Sequence, residues 1–283
     1  PGHRQGTCMK QRLKISDKNT QIGIDIGTSK ICCAITEIKS DEGSNKILGI
    51  GSVPSQGIKK GSIVHRDKVM ESIEAAVREA ELMAGIKVSR VMLSISGDHI
   101  RGINTQGAIA IQKGTTSNVP VEQEITQNDV SRVLELAKAV SLPVDREILH
   151  ILPQEYLIDT MDSIKDPVGM SGRRLEAKVH LITMAATTAK NLVNCVHEMA
   201  IDVEGLVFQA LASAIATLDT DEKELGVAVV DIGAGTTDIT VFYDGGVRHS
   251  AVIGVGASTV TNDIAVMLQI GMEDAEEIKM KYA

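Results

Sequence analysis

The sequence predicts an α/β fold built as two halves around a shared site. Apolar segments with strand spacing alternate with segments of helical spacing, which is the pattern of this class. A short signature also occurs twice, about 200 residues apart. Its copies read Asp25-Ile26-Gly27-Thr28-Ser29-Lys30 and Asp231-Ile232-Gly233-Ala234-Gly235-Thr236-Thr237-Asp238. Internal similarity of this kind indicates duplicated halves.

Each copy of the signature is predicted to form the turn of a β-hairpin. Apolar runs precede and follow both copies, and each turn contains glycine and hydroxyl residues. Glycines let backbone N–H groups converge on an anion, and Thr or Ser hydroxyls add donors. An aspartate at the strand end cannot bind phosphate, so we expect it to serve the Mg²⁺ that accompanies nucleotide phosphates. A single Asp-x-Gly is usually only a turn, and its repetition is what favours a nucleotide site.

Composition places the chain among ordinary soluble globular proteins. It has 283 residues, of which 43% are hydrophobic and 23% charged, and its net charge is −8. General nucleic-acid binding is therefore disfavoured. The length predicts one to three domains with a substantial core. The sequence contains no signal peptide and no apolar span of roughly 18 residues, so we expect no membrane crossing by this chain itself.

The four cysteines are Cys8, Cys32, Cys33 and Cys195, and they show neither metal-binding spacing nor a disulfide framework. We therefore expect free thiols and a reducing cytoplasm. Cys32 and Cys33 are adjacent in a predicted strand, so their side chains should point to opposite faces. Residues 1–20 are predicted to form a disordered extension, with Met9 as a candidate start.

After the first hairpin, the first half is predicted to continue with a strand and a helix. Lys46 to Val53 has the pattern of the strand, and Asp67 to Ala84 has that of the helix. We expect Asp67 to cap this helix and Gly85 to end it. Its apolar positions repeat at helical spacing and should pack in the core.

An inserted module is predicted at residues 89–176. Its predicted elements are a strand (Val91 to Ser96), a β-leaning stretch (Gly107 to Glu124), a helix (Thr126 to Val140) and two strands (Ile148 to Ile158 and Leu175 to Thr183). Thr126 is the expected N-cap of the helix, because Asp129 stands three residues later in the position of a capping box. Asp98 and His99 are interpreted as loop or subunit-contact residues.

The α/β alternation then resumes. The predicted elements are a helix (Thr187 to Ala200), a strand (Val203 to Phe208), a helix (Gln209 to Leu218), an acidic linker (Asp219 to Glu224), the second hairpin, and helices at Ser258 to Leu268 and Asp274 to Tyr282. His150 and His180 lie in apolar strands, and we expect them to be hydrogen-bonded core residues rather than catalytic ones.

Several longer strings resemble a known family. They are Glu81-Leu82-Met83-Ala84, Ser94 to Ile100, Ile151 to Tyr156, Pro167 to Gly172 and Lys178 to Thr183. Together with the two turns and the segments 209–213 and 275–279, they resemble the actin and heat-shock-chaperone ATPase superfamily. Within it, the chain is similar to the FtsA family of bacterial cell-division proteins over about residues 21–282.

This resemblance implies an actin-like ATPase fold of the ribonuclease H-like type. It implies that residues 21–88 and 177–218 form subdomain 1A and that residues 89–176 form an inserted strand-helix-strand-strand subdomain, 1C. Residues 219–283 would form part of subdomain 2A. Because family members continue beyond residue 283, we expect an incomplete second lobe.

The resemblance also implies ATP and Mg²⁺ as ligands. The first phosphate loop would contain Asp25, Gly27, Thr28, Ser29 and Lys30, and the second would contain Asp231, Gly233, Ala234, Gly235, Thr236 and Thr237. Asp25 and Asp231 would hold Mg²⁺ through water, and Glu276 and Lys279 would contact the adenosine ribose. Gln209 either orients the attacking water or merely caps its helix. Since a neutral amide is a weak base, we expect slow hydrolysis at most.

The implied biological role is in cell division. Family members polymerise head to tail through 1C and act with other divisome proteins. They attach filaments of the tubulin homologue FtsZ to the cytoplasmic face of the inner membrane at the division site. The FtsZ site and the membrane-binding C-terminal helix are expected in segments outside this chain. Two alternatives stay open, a pilus-assembly adaptor of the same fold and, less favoured, a small-molecule kinase of the same superfamily.

Overall fold

The computed structural model describes residues 14–15, 20–38, 45–111 and 123–282. They divide into two compact units. The first takes in residues up to 58, 63–94 and 192–206, and the second takes in residues 59–62, 95–191 and those from 207 onward. Most of the predicted extension at 1–20, including Cys8, lies outside the described residues.

Strands and helices alternate along the chain, as predicted. The strands are β1 (Lys14–Ile15), β2 (Thr20–Ile26), β3 (Lys30–Ile38), β4 (Asn45–Pro54), β5 (Ile58–Lys59), β6 (Ser62–Ile63), β7 (Ile86–Lys87), β8 (Arg90–Ile95), β9 (Arg101–Ala110), β10 (Gln123–Glu124), β11 (Arg146–Ile158), β12 (Met161–Ile164), β13 (Ser171–Gly172), β14 (Arg174–Ala185), β15 (Asp202–Phe208), β16 (Val227–Ile232), β17 (Thr237–Tyr243) and β18 (Gly246–Ile253). The helices are α1 (Arg66–Ala84), α2 (Gln127–Lys138), α3 (Ala186–His197), α4 (Gln209–Thr217), α5 (Thr220–Leu225), α6 (Ala257–Leu268) and α7 (Met272–Tyr282).

The first unit is built on a five-stranded sheet with the order β15-β8-β2-β3-β4. β2 and β3 form the predicted antiparallel hairpin, in which Asp25 is paired with Cys32. β8 runs parallel to β2, and β4 runs antiparallel to β3. Every second residue in the first part of β2 and β3 is buried, so one face of the hairpin lies in the core. The first predicted hairpin is therefore confirmed.

Helix α1 packs on β3 and β4 with a buried stripe at helical spacing, as predicted. Gly85 ends the helix in the left-handed conformation, with φ of 69°, and donates its N–H to the carbonyl of Glu81 over 2.8 Å. The predicted N-cap is wrong. The helix begins at Arg66 after His65, which places Asp67 inside the first turn. There its negative charge lies favourably at the positive end of the helix dipole.

The second unit is built on a seven-stranded sheet with the order β12-β11-β14-β9-β18-β17-β16. β9, α2, β11 and β14 form the strand-helix-strand-strand pattern, and β12 adds a short hairpin to β11. The strand predicted to open the module, Val91 to Ser96, is instead β8 of the five-stranded sheet. α2 packs on β9 and β14. The core between them consists of apolar side chains, including Ile109, Ile125, Val130, Val133, Tyr156, Ile158, Leu175, Val179 and Leu181. β16 and β17 form the second predicted hairpin.

The N-terminus of α2 carries the predicted capping box. The Asp129 carboxylate accepts bonds from the backbone N–H of Thr126 at 3.0 Å and from its hydroxyl at 2.6 Å. These bonds, led by the one from the hydroxyl, hold the pKa of Asp129 below its usual value. The helix ends at Lys138, two residues before the predicted end at Val140.

Replacing Thr126 with alanine should lower the free energy of unfolding by about 1 kcal/mol at neutral pH. The pKa of Asp129 is depressed in the folded state, so its contribution is complete above the pKa of the unfolded carboxyl, about 4. That contribution is lost as the pH falls through the lower folded pKa. Denaturant titrations at several pH values should therefore show the difference between wild type and Thr126→Ala shrinking in acid. A difference that stays constant with pH would contradict this account.

The predicted acidic linker at 219–224 is wrong, because those residues form most of α5. Asp219 caps this helix, and Glu222 reaches back to the Asp219 N–H at 2.9 Å. The Asp-x-x-Glu spacing of a capping box was present in the sequence and indicates this helix. The acidic run by itself therefore does not indicate a linker.

The predicted core histidines are confirmed as hydrogen-bonded. His180 lies between Asn104 Oδ1, 2.6 Å from its Nδ1, and Ser250 Oγ, 2.7 Å from its Nε2. Burial lowers the pKa of His180 to about 4. His150 Nε2 accepts the backbone N–H of Phe208 over 2.9 Å. Both rings therefore hold β-strands together as neutral side chains.

The described cysteines are unpaired thiols. Cys33 is buried and Cys32 is partly exposed, which confirms that they point to opposite faces of β3. Burial raises the pKa of the Cys33 thiol to about 12. Across the described part of the chain, no helix is both long enough and apolar enough to cross a bilayer.

Candidate nucleotide-binding turns

The first turn connects β2 and β3 and begins with Asp25. The N–H of Gly27 donates to the carbonyl of Lys30 over 3.0 Å and closes the turn. Thr28 and Ser29 stand at its tip, where Ser29 and Lys30 are exposed. The hydroxyl of Ser94 donates to a carboxylate oxygen of Asp25. The turn thus presents a partly exposed, oriented carboxylate together with an exposed lysine and the exposed Ser29.

The second turn connects β16 and β17 and has the same closure. The N–H of Gly233 donates to the carbonyl of Thr236 over 2.9 Å. Gly27 and Gly233 both follow their aspartates by two residues, and the accepting carbonyls both follow by five. The repeated signature therefore forms the same hydrogen-bonded turn in both places.

The N-terminus of α6 fixes the peptide planes of the second turn. Ala257 donates its N–H to the carbonyl of Gly233 over 2.9 Å, and Ser258 donates to the carbonyl of Ala234 over 3.0 Å. Gly256 permits this approach, because a Cβ there would lie 2.5 Å from both carbonyl oxygens. These peptides are planar and trans, so the N–H groups of Ala234 and Gly235 point away from α6. Neither of these two amides is therefore used to bind α6.

The hydroxyls of the second turn are used within the chain. Thr236 Oγ1 donates to Asp238 Oδ2 over 3.1 Å, and Thr237 Oγ1 donates to the carbonyl of Val255 over 2.8 Å. Thr236 is buried, and so is Gly235. In this arrangement the hydroxyls of the turn stabilise the loop. The assignment of Thr236 and Thr237 to phosphate stays a prediction.

Helix α4 orients the carboxylate of Asp231. Ser213 Oγ donates to Asp231 Oδ2 over 2.9 Å, and Gln209 Nε2 lies 3.5 Å from the same oxygen, at the outer limit of a hydrogen bond. The N-cap of α4 is Phe208, and Gln209 is the first helical residue, so the structure does not support the helix-capping alternative for Gln209. Ser213 follows Gln209 by four residues and therefore lies on the same face of the helix.

Glu276 and Lys279 join α7 to α6. Lys279 Nζ lies 2.7 Å from Glu276 Oε2 and 2.9 Å from Thr261 Oγ1. Thr261 Oγ1 also donates to Glu276 Oε2 over 2.5 Å. The pKa of the Glu276 carboxyl lies below its usual value, mainly because of the hydrogen bond from Lys279 and also because of that from Thr261. The pair is fixed by neighbours within the chain, and its role at a ribose stays a prediction.

Sequence reasoning did not assign the side chains that hold the aspartates. They are Ser94, which donates to Asp25, and Ser213, which donates to Asp231. The bond between Ser96 and Asp238 was also not expected. Ser213 had a local signal in its spacing from Gln209, and Asp238 stands inside the repeated signature. Ser94 and Ser96 belong to the string Ser94 to Ile100, which carries the family resemblance but no catalytic pattern of its own.

Two family models match the chain. The model described as "SHS2 domain inserted in FTSA" matches residues 97–183, and that described as "Cell division protein FtsA" matches residues 228–283. Cell division protein FtsA of Pseudomonas aeruginosa is 44% identical over 262 residues. That of Escherichia coli K12 is 42% identical over 270 residues.

The chain belongs to the FtsA family. The alignments cover 93% and 95% of the chain but only 60% and 62% of these two FtsA relatives. The chain thus spans about three fifths of the length of the curated relatives it matches. The domain inserted in FtsA corresponds to much of the module predicted at 89–176, whose exact limits stay a prediction.

Solved structures show the fold. A chain of the PilM-PilN type IV pilus biogenesis complex matches with a TM-score of 0.66 at 16% identity, covering 93% of this chain and 69% of that one. The ethanolamine utilization protein EutJ from Carboxydothermus hydrogenoformans matches with a TM-score of 0.51 at 14% identity, covering 96% and 65%. At these identities the likeness concerns architecture alone. The chain has the actin-like ATPase fold, as predicted.

Proposed function

We propose that this FtsA-family chain binds ATP with Mg²⁺ through its two turns. The observation that carries the proposal is the repeated turn, in which Gly27 and Gly233 make the same closing bond. Each turn begins with an aspartate, Asp25 or Asp231, held by a serine hydroxyl. Carboxylate oxygens are the side-chain ligands that Mg²⁺ prefers, directly or through its water shell.

The proposed roles follow from what each group can donate or accept. The N–H groups of Ala234 and Gly235 in the second turn bind a phosphate oxygen. Lys30 supplies a positive charge in the first turn. Asp25 and Asp231 hold Mg²⁺ through water. Gln209 orients a water but is too weak a base to activate it strongly, so turnover is slow and the nucleotide serves mainly as a switch.

For the whole protein we propose the role of an actin-like cell-division protein. It polymerises through the inserted domain, and it tethers FtsZ filaments to the cytoplasmic face of the inner membrane. FtsZ and membrane lipids contact the part of the protein outside this chain. The identity of 44% to an FtsA protein favours this role over pilus assembly, since the PilM-PilN match rests on fold at 16% identity.

Co-sedimentation with the full-length protein tests this role. With Mg·ATP and vesicles containing anionic lipid, the protein should carry FtsZ into the vesicle pellet, while FtsZ alone stays in the supernatant. Purified pilus-assembly proteins should stay in the supernatant under the same conditions. Pelleting of pilus-assembly proteins without FtsZ would reverse the choice between the two roles.

A further inference from the structure

Ser96 stands between strand β8 and the inserted domain. β8 ends at Ile95, and the family domain begins at Gly97. Ser96 belongs to the string Ser94 to Ile100, and the proposed function assigns Ser96 itself no role. Its side chain makes contacts far along the chain, and these contacts all lie within the second unit.

Ser96 closes a ring of three polar side chains at the base of the second turn. Ser96 Oγ donates to Asp238 Oδ1 over 2.5 Å and lies 3.3 Å from Thr236 Oγ1. Thr236 Oγ1 donates to Asp238 Oδ2 over 3.1 Å. Asp238 is 1% exposed and Thr236 is 7% exposed, so water competes little with these bonds. Hydrogen bonds to a carboxylate are stronger than those between neutral groups.

The backbone at Ser96 is held as firmly as its side chain. A Cβ on Gly61 would overlap the Ser96 carbonyl oxygen, so the chain at Gly61 packs directly against this peptide. Gly97 has φ of 149°, and its carbonyl accepts the N–H of Ile100 over 3.0 Å. The Ser96 peptide is thus closely packed where the chain enters the inserted domain.

We propose that Ser96 is a positioning residue that couples nucleotide occupancy of the second turn to the inserted domain. The inference rests on the proposed function. A phosphate bound to the amides of Ala234 and Gly235 restrains the turn that contains Thr236. Thr236 is bonded to Asp238 and lies against Ser96, so the restraint reaches the entrance of the domain. Coupling of this kind requires that the hydrogen bonds among Ser96, Thr236 and Asp238 differ between the nucleotide-bound and the nucleotide-free state.

Hydrogen exchange of the full-length protein, with and without Mg·ATP, tests the coupling. In wild type, nucleotide should slow the exchange of amides in β9 (Arg101–Ala110) and α2 (Gln127–Lys138). Ser96→Ala should weaken nucleotide affinity only about 2- to 10-fold, the loss of one hydrogen bond. At saturating nucleotide it should nevertheless abolish the change in β9 and α2.

Two variants make the result specific. Ser96→Thr keeps the hydroxyl and should restore the response, which also covers the case in which Ser96→Ala fails to fold. Ser131→Ala removes an exposed hydroxyl that donates to the carbonyl of Gln127 within α2, and it should behave as wild type.

The outcomes separate this inference from the proposed function. If wild type binds nucleotide but β9 and α2 do not respond, or if saturated Ser96→Ala responds fully, the coupling is wrong and the nucleotide site stands. If wild type fails to bind Mg·ATP, both proposals are overturned.

Discussion

Replacing Asp231 with alanine is expected to weaken the binding of Mg·ATP by about 100-fold. Ser213 and Gln209 fix this carboxylate at the end of β16, where it is partly exposed. Truncating one partner of a hydrogen-bonded charge pair costs about 2–5 kcal/mol, and about 1.4 kcal/mol corresponds to tenfold in affinity. The expected loss lies in the lower part of that range, because the proposed contact to Mg²⁺ passes through water. Equilibrium titration of the full-length protein with Mg·ATP measures it.

Two further variants isolate the charge of Asp231. Asp231→Asn keeps an oxygen that can accept the Ser213 hydroxyl, but it removes the negative charge. It should bind Mg·ATP weakly, and its difference from wild type should shrink when EDTA removes the magnesium. Asp162→Ala removes an exposed carboxylate on β12 and should leave affinity unchanged. Wild-type affinity in Asp231→Ala would remove this residue from the proposed site.

Replacing Gly51 with valine is expected to destabilise the first unit by about 3 kcal/mol. Side-chain atoms inserted into a packed core cost about 1–3 kcal/mol, and the upper value applies here because the clash is with the backbone. Gly51 lies on β4 beneath α1, and a Cβ there would overlap the carbonyl oxygen of Ala76. That oxygen belongs to the helix backbone, so no change of rotamer relieves the overlap. Either α1 lifts from the sheet or β4 shifts its register.

Denaturant titration of wild type and Gly51→Val gives the change in the free energy of unfolding. Gly23→Ala is the matched control. Gly23 lies on β2, and a Cβ there meets no atom within 4 Å. Its effect should lie within about 0.5 kcal/mol of zero, as for most surface substitutions. If Gly51→Val unfolds at the wild-type midpoint, α1 and β4 are not packed in the way described.

Local sequence signals predicted much of this fold. Both hairpins, the stripe of α1, the end of that helix at Gly85 and the capping box at Thr126 depend on residues within a few positions of one another. Errors arose where two local signals competed. His65 rather than Asp67 precedes α1, and the acidic run after Asp219 is a capped helix rather than a linker.

Contacts between segments that are distant in the sequence could not be predicted from local sequence signals. Ser94 meets Asp25 across 69 positions, and Ser96 meets Asp238 across 142. No periodicity in the sequence records such pairs, because they depend on how the sheets assemble. The close approach of α1 to Gly51 could not be predicted either. A glycine in a strand is equally consistent with a β-bulge or with a ligand contact. The aspartates of the candidate site were therefore predictable, and the groups that orient them were not.

We propose that binding of Mg·ATP requires both of the turns that begin with Asp25 and Asp231. Calorimetric titration of the full-length wild type and of Asp25→Ala with Mg·ATP tests it most directly. We predict one nucleotide per wild-type chain and, as for Asp231→Ala, binding weakened by about 100-fold in Asp25→Ala, although its second turn is intact. Binding by Asp25→Ala with wild-type affinity and stoichiometry would contradict the claim.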